Sequence, residues 1–481
     1  MNPSNTPHNL DKSTNPDSPP KPGESPSNRV PSTPIAPSTP LKTTPLSMAE
    51  KNPGLLIASI LGVVLLALVT MLTINISKNV NSNDGDTVDP RQTNNQIRLN
   101  TNNDRDASQS STKTSTDKNK FQDPDQNSVS PKSLSGALIK RTVPNAQSSK
   151  AICNDGTDYT YYTRPGSPEN SDRWIVYFQG GAACSSVDAC TSRAEEDPDL
   201  ITADTQASRL SDGILSRDES HNPDFNDWSH VFLPYCSSDT WAGDTTHQIA
   251  SDTWYFYGHH IVTAVVDELL NGVGDMPKLS DSTDLMVVGS SAGGGGVQLN
   301  LDRISETVHA VDSAVRITGV LDSVWGFLVE PYASREDAYG NVLSEGEAIE
   351  FHNTIGDQSC EAASSANDDG CKSTDTLLPY LSTPVFIYID QRDSLKLSRV
   401  GIDNMGKDPA QRAYWEETWQ PNLLASLEGL TGLFAPVIGK HTSLTSDRFY
   451  TVKIDGLNFA DVLGNWYFDR SGPKSVIAEQ P

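Results

Sequence analysis

The sequence predicts an α/β fold with a mostly parallel central sheet and helices on both of its faces. The second part of the chain alternates short apolar segments with stretches of helical periodicity, as expected for strands joined by crossover helices. Five apolar segments are predicted strands: residues 174–178, 231–235, 284–288, 315–321 and 384–390. Gly181, Ser291 and Asp393 each fall just after one of these segments. Because ligands bind beyond the carboxyl ends of parallel strands, we expect the functional residues to lie there.

The predicted strand at 284–288 runs into Gly289-Ser290-Ser291-Ala292-Gly293, a Gly-x-Ser-x-Gly turn. A nucleophilic serine between a strand and a helix sits on a turn so tight that its neighbours must be small, as they are here. Apolar residues at 297, 301 and 304 follow with the spacing of one helical face. The order of strand, tight turn and helix predicts the nucleophile elbow of an α/β-hydrolase fold, whereas the turn alone would equally fit a flexible glycine loop.

A serine nucleophile needs an imidazole to accept its proton, and the imidazole needs a carboxylate to orient it. In the α/β-hydrolase fold the chain order is Ser, then Asp or Glu, then His. Three histidines follow Ser291: His309, His352 and His441. His309 lies near the end of the helix after the turn and His352 precedes the last predicted strand, so both come too early. We therefore predict His441 as the base, with a surface histidine as the alternative.

The acid is expected at the end of the strand at 384–390. Asp393 stands just past this strand, whereas Asp390 still lies within it, and we predict Asp393 as the acid. After the strand at 174–178, a glycine pair at 180–181 stands where this fold exposes backbone N–H groups for an oxyanion hole. A plain glycine turn is the alternative interpretation of that pair.

The first part of the chain differs in composition from the rest. Residues 1–53 repeat Ser-Pro and Thr-Pro steps with few large apolar residues, which predicts a disordered tail. Residues 54–74 are uncharged and apolar, and as a helix they would be about 31 Å long, enough to cross a bilayer. A cleaved signal peptide would be followed by an Ala-x-Ala site, and no such site follows this segment. We therefore predict a transmembrane signal anchor, with a cleaved signal peptide as the alternative. The polar composition of residues 75–148 predicts a disordered stalk. The catalytic domain is predicted to comprise residues 149–481.

The charges limit the partners of the predicted domain. Of the 36 Lys and Arg residues in the chain, 15 lie before position 150 and 21 lie from that position onward. Of the 62 Asp and Glu residues, 12 lie before that position and 50 lie after it. This acidity argues against nucleic acid as a partner, since a phosphate backbone would be repelled over most of the surface. It also disfavours a strongly anionic polysaccharide unless a local basic patch counters the net field. Adaptation to salt would explain the acidity equally well.

All six cysteines lie after position 150, which indicates three disulfides and places this part of the chain outside the cytoplasm. The near pairs Cys184/Cys190 and Cys360/Cys371 could each close a short loop. Zinc binding is the alternative, but no Cys-x-x-Cys or His-x-x-x-His spacing supports it. We expect neither a metal ion nor an organic cofactor.

Several segments carry a more specific pattern. They are 153–156 with Tyr161-Tyr162, 174–184, 234–243, 289–294 with Asn300, Asp302 and Arg303, 322–323, the segment around Asp393, and 465–468. Together they resemble the pectin acetylesterase/Notum family of α/β-hydrolases over roughly residues 150 to 470. The segment 234–243, Pro-Tyr-Cys-Ser-Ser-Asp-Thr-Trp-Ala-Gly, is almost diagnostic of that family.

The resemblance implies Ser291 as nucleophile, His441 as base and Asp393 as the orienting acid. It implies that three small residues supply backbone N–H groups to the oxyanion hole: Gly181, Ala182 and Ala292. It also implies the disulfides Cys153–Cys236 and Cys184–Cys190, which leaves Cys360 with Cys371.

The chain departs from the family pattern at two places. Ala182-Ala183 stands where the family usually has a tryptophan before the cysteine of the oxyanion loop, so the comparison with the family implies the loss of a flat wall on the acyl or leaving-group side of the pocket. Gln179 replaces an acidic family residue before the glycine pair. Both changes leave the chemistry intact and bear on the choice of substrate.

The expected function is that of a serine carboxylesterase that hydrolyses O-acyl esters, foremost O-acetyl esters, on an extracytoplasmic polysaccharide. One alternative is a deacylase of longer fatty acyl esters on protein or lipid, and another is a non-catalytic surface binding module. A peptidase is disfavoured because nothing resembles the cap of the peptidase branches. We expect a monomer held at the membrane through residues 54–74.

Overall fold

The computed structural model describes residues 136–327, 329–333, 345–363, 369–373 and 376–479. The strands are β1 (Leu138–Thr142), β2 (Thr160–Arg164), β3 (Arg173–Phe178), β4 (Ser208–Arg209), β5 (Ser229–Leu233), β6 (Thr245–Ile249), β7 (Asp252–Phe256), β8 (Asp284–Ser290), β9 (Arg316–Asp322), β10 (Val385–Tyr388), β11 (Leu433–Ala435), β12 (Lys453–Ile454), β13 (Leu457–Asn458) and β14 (Ser475–Ile477).

The α-helices are α1 (Ala146–Ser149), α2 (Val187–Glu196), α3 (Gly258–Asn271), α4 (Ala292–His309), α5 (Glu345–His352), α6 (Gln358–Ala363), α7 (Ser394–Arg399), α8 (Pro409–Tyr414), α9 (Gln420–Ser426), α10 (Arg448–Thr451) and α11 (Phe459–Tyr467). A π-helical turn, Trp415–Trp419, joins α8 to α9. Short 3-10 turns lie at Pro198–Leu200, Gly213–Leu215, Leu279–Asp281, Asp369–Lys372 and Leu378–Tyr380.

In the described part of the chain, ten strands form one sheet in the order β14-β11-β10-β9-β8-β3-β5-β2-β1-β4. Neighbouring strands from β14 to β5 are parallel, whereas β2, β1 and β4 extend the sheet through antiparallel pairs. The prediction of a mostly parallel sheet is confirmed. The antiparallel edge was not predicted, because its strands are short and carry polar side chains.

Side chains of the parallel strands alternate between two apolar layers, one on each face of the sheet. Trp174 and Val176 of β3 belong to the layer that contains α3 and α4. Ile175 and Tyr177 belong to the layer that contains α11. Burial on both faces explains why these strands are continuous apolar runs in the sequence.

The folded domain starts earlier than the predicted boundary at residue 149. β1, within the predicted stalk, pairs with β2 on one side and with β4 on the other, and Leu138 is fully buried. Lys140 and Arg141 interrupt the apolar pattern there, but strand pairing uses main-chain groups and tolerates them. The Arg141 side chain also reaches Thr163 at 2.9 Å (Nε to Oγ1). Residues 138–149 are therefore part of the domain and not of a stalk.

The apolar run at 54–74, predicted to span a membrane, lies outside the described residues. The predicted tail at 1–53 and the predicted stalk up to residue 135 lie outside them as well. Within the ranges given above, no helix is long and apolar enough to cross a bilayer.

Three neighbouring strands end side by side at one edge of the sheet. Ser290 at the end of β8 is opposite Asp322 at the end of β9, and Asp322 is opposite Tyr388 at the end of β10. The loops that follow these strands therefore open on the same edge, which is where the sequence predicts the functional residues.

Candidate active site

Ser291 occupies a strained turn between β8 and α4. Its backbone has φ +55° and ψ −126°, outside the conformations that a non-glycine residue readily adopts. Its N–H donates to the Asp322 carbonyl oxygen at 2.8 Å, which ties the turn to β9. A Cβ atom at position 293 would collide with the carbonyl oxygen of Phe178, so this turn requires glycine there. The arrangement matches the predicted nucleophile elbow.

His441 lies between Ser291 and Asp393. Its Nε2 is 2.7 Å from the Ser291 hydroxyl oxygen, and its Nδ1 is 2.8 Å and 2.9 Å from the two carboxylate oxygens of Asp393. The carboxylate can only accept, so Nδ1 carries the proton and Nε2 accepts from the hydroxyl. The structure thus brings together the three residues that the sequence predicts as nucleophile, base and acid.

Asp393 is fully buried and serves a second structural purpose. It caps the N-terminus of α7, accepting from the backbone N–H groups of Leu395 and Lys396 at 3.0 Å each. The cap and the histidine together fix the orientation of the carboxylate. An acid that holds an imidazole in one tautomer requires such rigidity.

Asp390, the alternative acid, points elsewhere. It accepts from the backbone N–H groups of Arg392, Ile438 and Lys440 at 2.8, 3.1 and 2.8 Å. Burial raises its pKa to about 6. It therefore contacts the main chain of the loop before His441 and not the imidazole.

The two earlier histidines also lie apart from Ser291. His309 is hydrogen-bonded through Nε2 to the Val315 carbonyl oxygen at 2.9 Å, and His352 to that of Cys184 at 2.8 Å. Burial lowers the pKa of His352 to about 4, so its ring is neutral near pH 7. Both rings have the contacts of structural histidines.

Two of the three predicted oxyanion donors, Ala182 and Ala292, line one cleft together with Ser291, and Gly181 directly precedes Ala182 in the chain. Ala292 is the first residue of α4, where a helix leaves its N–H groups without intrahelical acceptors. Ala182, at φ +55°, and Gly181 lie in the loop after β3. Within the described residues no acceptor is found for the N–H groups of Gly181, Ala182 or Ala292. These donors are therefore available to a ligand at this place.

A cleft of about 150 Å³ opens beside Ser291 and His441. Its lining includes Thr240 and Ser323, which lie in segments noted by resemblance, and five residues to which no sequence pattern pointed: Gly295, Val324, Leu395, Lys396 and Arg399. Lys396 and Arg399 place two cationic side chains at the cleft of an otherwise acidic domain. They follow Asp393 on α7, and their position near the site could have been inferred from that adjacency alone.

The segment 234–243 contacts both the oxyanion loop and the start of α3. The Asp239 carboxylate accepts from the backbone N–H groups of Trp241 and Gly258 at 3.0 and 2.7 Å, and burial raises its pKa to about 6. The indole N–H of Trp241 donates to the Gln179 carbonyl oxygen at 3.1 Å, at the start of the oxyanion loop. The sequence identified this segment only by its resemblance to the family and predicted no structural role for it. Its contacts show that it joins the oxyanion loop to α3.

All six cysteines are paired, as Cys153–Cys236, Cys184–Cys190 and Cys360–Cys371. This is the pairing that the resemblance implies. The Cys184–Cys190 bridge closes the oxyanion loop onto α2, so the loop is covalently held next to Ala182. Disulfides of this kind are typical of an oxidising compartment.

Comparisons with known proteins identify the family of the chain. A family model described as pectinacetylesterase matches residues 135–480. The palmitoleoyl-protein carboxylesterase NOTUM of Drosophila melanogaster is 32% identical over 330 residues, which cover 67% of this chain and 47% of that protein. NOTUM of Schmidtea mediterranea is 29% identical over 375 residues, which cover 75% and 68%. The chain thus spans about half the length of the first relative and about two thirds of the second.

Among solved structures, the Wnt deacylase Notum from Drosophila superposes with a TM-score of 0.60 at 28% identity. The match covers 72% of this chain and 97% of that one. The resemblance found in the sequence is therefore confirmed, and so is the α/β-hydrolase fold. The chain belongs to the pectinacetylesterase family of carboxylic-ester hydrolases, together with the Notum carboxylesterases.

Proposed function

We propose that this protein is a serine carboxylesterase that removes short O-acyl groups, foremost acetyl groups, from an extracytoplasmic polysaccharide. The observation that carries the proposal is the pair of hydrogen bonds by which His441 joins Ser291 to Asp393. A surface binding module would have no use for this arrangement, because the chain of hydrogen bonds from serine through imidazole to carboxylate serves proton transfer and nucleophilic attack.

The chemistry follows from the hydrogen bonds. Asp393 accepts the Nδ1 proton of His441, so Nε2 can take the hydroxyl proton of Ser291 as its oxygen attacks the ester carbonyl. The N–H groups of Ala182 and Ala292 stabilise the oxyanion that forms. His441 then gives its proton to the departing sugar oxygen. A water molecule, deprotonated by the same imidazole, hydrolyses the acyl-enzyme and releases the acid.

The size of the cleft supports a short acyl group. Pockets for drug-sized ligands occupy about 300–1,000 Å³, whereas this cleft has about 150 Å³. The relatives are named for removing palmitoleoyl groups from proteins, and this favours the second candidate, a deacylase of long acyl chains. Such a chain would need a larger apolar cavity than the cleft provides.

Lys396 and Arg399 support a polar acceptor. A polysaccharide presents hydroxyl groups, and in some polymers carboxylates, to the rim of the cleft, and both bind cationic side chains well. Arg399, together with Lys396, whose ammonium group donates to the Trp325 carbonyl oxygen at 2.6 Å, forms a local basic patch that counters the negative net charge of the domain.

The site of action follows from the disulfides, which favour an extracytoplasmic domain. Attachment to the membrane through residues 54–74, and the monomeric state, remain part of the proposal. Extraction of the full chain from cell membranes by detergent, but not by salt or carbonate, would test the attachment.

The activity is tested with the full chain on p-nitrophenyl acetate, octanoate and palmitate. We expect acetate to be preferred and Ser291→Ala to lose at least about 10³-fold in kcat. Ser305→Ala, a buried serine further along the same helix, is the matched control and should keep wild-type activity. A preference for palmitate would support the long-chain deacylase. Equal inactivity of wild type and Ser291→Ala on all three esters would support the binding module.

A further inference from the structure

The loop that carries His441 has no regular secondary structure. Residues 436–447 connect β11 to α10, so no helix or strand of their own holds the imidazole in place. Catalysis by an imidazole needs its position to be kept within about 0.5 Å. The position must therefore come from contacts between this loop and its neighbours.

Asp322 provides such contacts on the C-terminal side of His441. Its Oδ2 accepts from the backbone N–H groups of Ser443 and Leu444 at 3.0 and 2.9 Å. The same oxygen accepts from the Ser290 hydroxyl at 2.8 Å, and the Asp322 carbonyl accepts from the Ser291 N–H at 2.8 Å. One buried residue thus contacts both the nucleophile turn and the histidine loop.

Asp390 provides matching contacts on the N-terminal side. Its carboxylate accepts from the N–H groups of Ile438 and Lys440 in the loop, and from that of Arg392 next to Asp393. Asp322 is fully buried and Asp390 nearly so, and neither lines the cleft. Hydrogen bonds to a buried charged acceptor are strong and directional.

We propose that Asp322 and Asp390 are positioning residues that hold the His441 loop between the nucleophile turn and the acid. The inference rests on the proposed function, because it concerns the placement of the proposed base. Ser323 adds a third contact, donating from its hydroxyl to the His441 carbonyl oxygen. Both carboxylates act on His441 through the main chain on either side of it.

The surroundings of the two carboxylates predict different responses to asparagine. Oδ1 of Asp322 lies 2.9 Å from the Ser323 hydroxyl, which can accept as well as donate. An asparagine at 322 can therefore keep its oxygen on the loop and give its NH₂ to Ser323. Both oxygens of Asp390 face backbone N–H groups, so an asparagine at 390 must set its NH₂ against one of these donors.

The test compares Asp322→Ala, Asp322→Asn and Asp390→Asn in the full chain. For each we measure kcat and KM on p-nitrophenyl acetate, the rate of Ser291 modification by diisopropyl fluorophosphate, and the thermal midpoint. We expect Asp322→Ala and Asp390→Asn to lose about 100-fold in kcat and in modification rate, at nearly unchanged KM. Asp322→Asn should stay within about fivefold of wild type.

Asp302→Ala is the matched control for loss of a buried carboxylate. Asp302 accepts from Ser359, Ser382 and Thr383, away from the histidine loop. This variant should lower the thermal midpoint and keep kcat, measured well below its midpoint.

The outcomes separate the two proposals. If Ser291→Ala is inactive while Asp322→Ala and Asp390→Asn keep kcat, the positioning role is wrong and the proposed function stands. If Ser291→Ala is as active as wild type, the proposed function fails and the positioning role fails with it. If Asp322→Ala does not fold, the test is the comparison of kcat between Asp322→Asn and Asp390→Asn. Equal activity of the two, or a more active Asp390→Asn, would overturn the inference.

Discussion

Replacing Asp393 by asparagine tests the tautomer on which the proposed mechanism depends. Asp393 accepts from two backbone N–H groups at the start of α7 and from Nδ1 of His441. In Asp393→Asn the helix donors require the amide oxygen, so the NH₂ group faces Nδ1. Two donors cannot bond, and the other atom within reach of Nδ1, the amide oxygen at 2.9 Å, is already shared by the two helix donors; the tautomer in which Nδ1 accepts from the NH₂ group is therefore favoured. Nε2 then carries the proton and cannot accept one from Ser291.

The expected loss follows from this switch. A wrong tautomer at the base of a serine hydrolase costs about 10⁴ in kcat, or about 5.5 kcal/mol of activation free energy. The helix cap persists through the amide oxygen, so the free energy of unfolding should change by less than about 1 kcal/mol. In Asp393→Asn, kcat should therefore fall steeply while the free energy of unfolding stays nearly unchanged.

The assay is p-nitrophenyl acetate hydrolysis at pH 8 together with thermal unfolding by circular dichroism. Asp408→Asn is the matched control, because Asp408 caps α8 through the N–H groups of Ala410 and Gln411 and has no contact with His441 among the described residues. It should keep wild-type kcat. Asp393→Asn with more than about a tenth of wild-type kcat would refute the tautomer argument.

Three further predictions concern the elbow, a buried histidine and the oxyanion loop. Gly293→Ala should abolish measurable esterase activity and lower the thermal midpoint, because the new methyl group meets the Phe178 carbonyl oxygen; a fully active variant would contradict this. The pKa of His352 is about 4 in the folded protein and about 6.5 in the unfolded chain. The free energy of unfolding should therefore fall by up to about 3 kcal/mol as the pH is lowered from above 6.5 towards 4. His352→Gln should show a smaller fall of the thermal midpoint between pH 7 and 4.5, and parallel curves would speak against this assignment. Cys184→Ser/Cys190→Ser should destabilise the fold by about 2 kcal/mol and lower kcat by freeing the loop at Ala182; unchanged kcat would show that the bridge is not needed for catalysis.

Local sequence patterns were sufficient for the elbow and for five of the seven parallel strands, whereas the three-residue strands β11 and β14 were not predicted. Small residues around Ser291 and the helical spacing after it are short-range signals, and burial on both faces makes the strands apolar throughout. The chain order of the α/β-hydrolase fold then narrowed the base to His441. Strand β1 was not predicted, because Lys140 and Arg141 interrupt its apolar pattern and main-chain pairing with β2 and β4 holds it in place.

The tertiary structure decided which groups meet. Asp393 and His441 are 48 residues apart, and His441 and Ser291 are 150 apart, so their distances depend on sheet register and loop path. The sequence distinguished Asp393 from Asp390 only by its place past the strand end; the structure shows that Asp390 contacts the loop backbone and Asp393 the imidazole. The contacts of Asp322 with the same loop left no pattern in the sequence at all. Hydrogen bonds between distant segments form only once the sheet has brought the strand ends together, and no local periodicity encodes them.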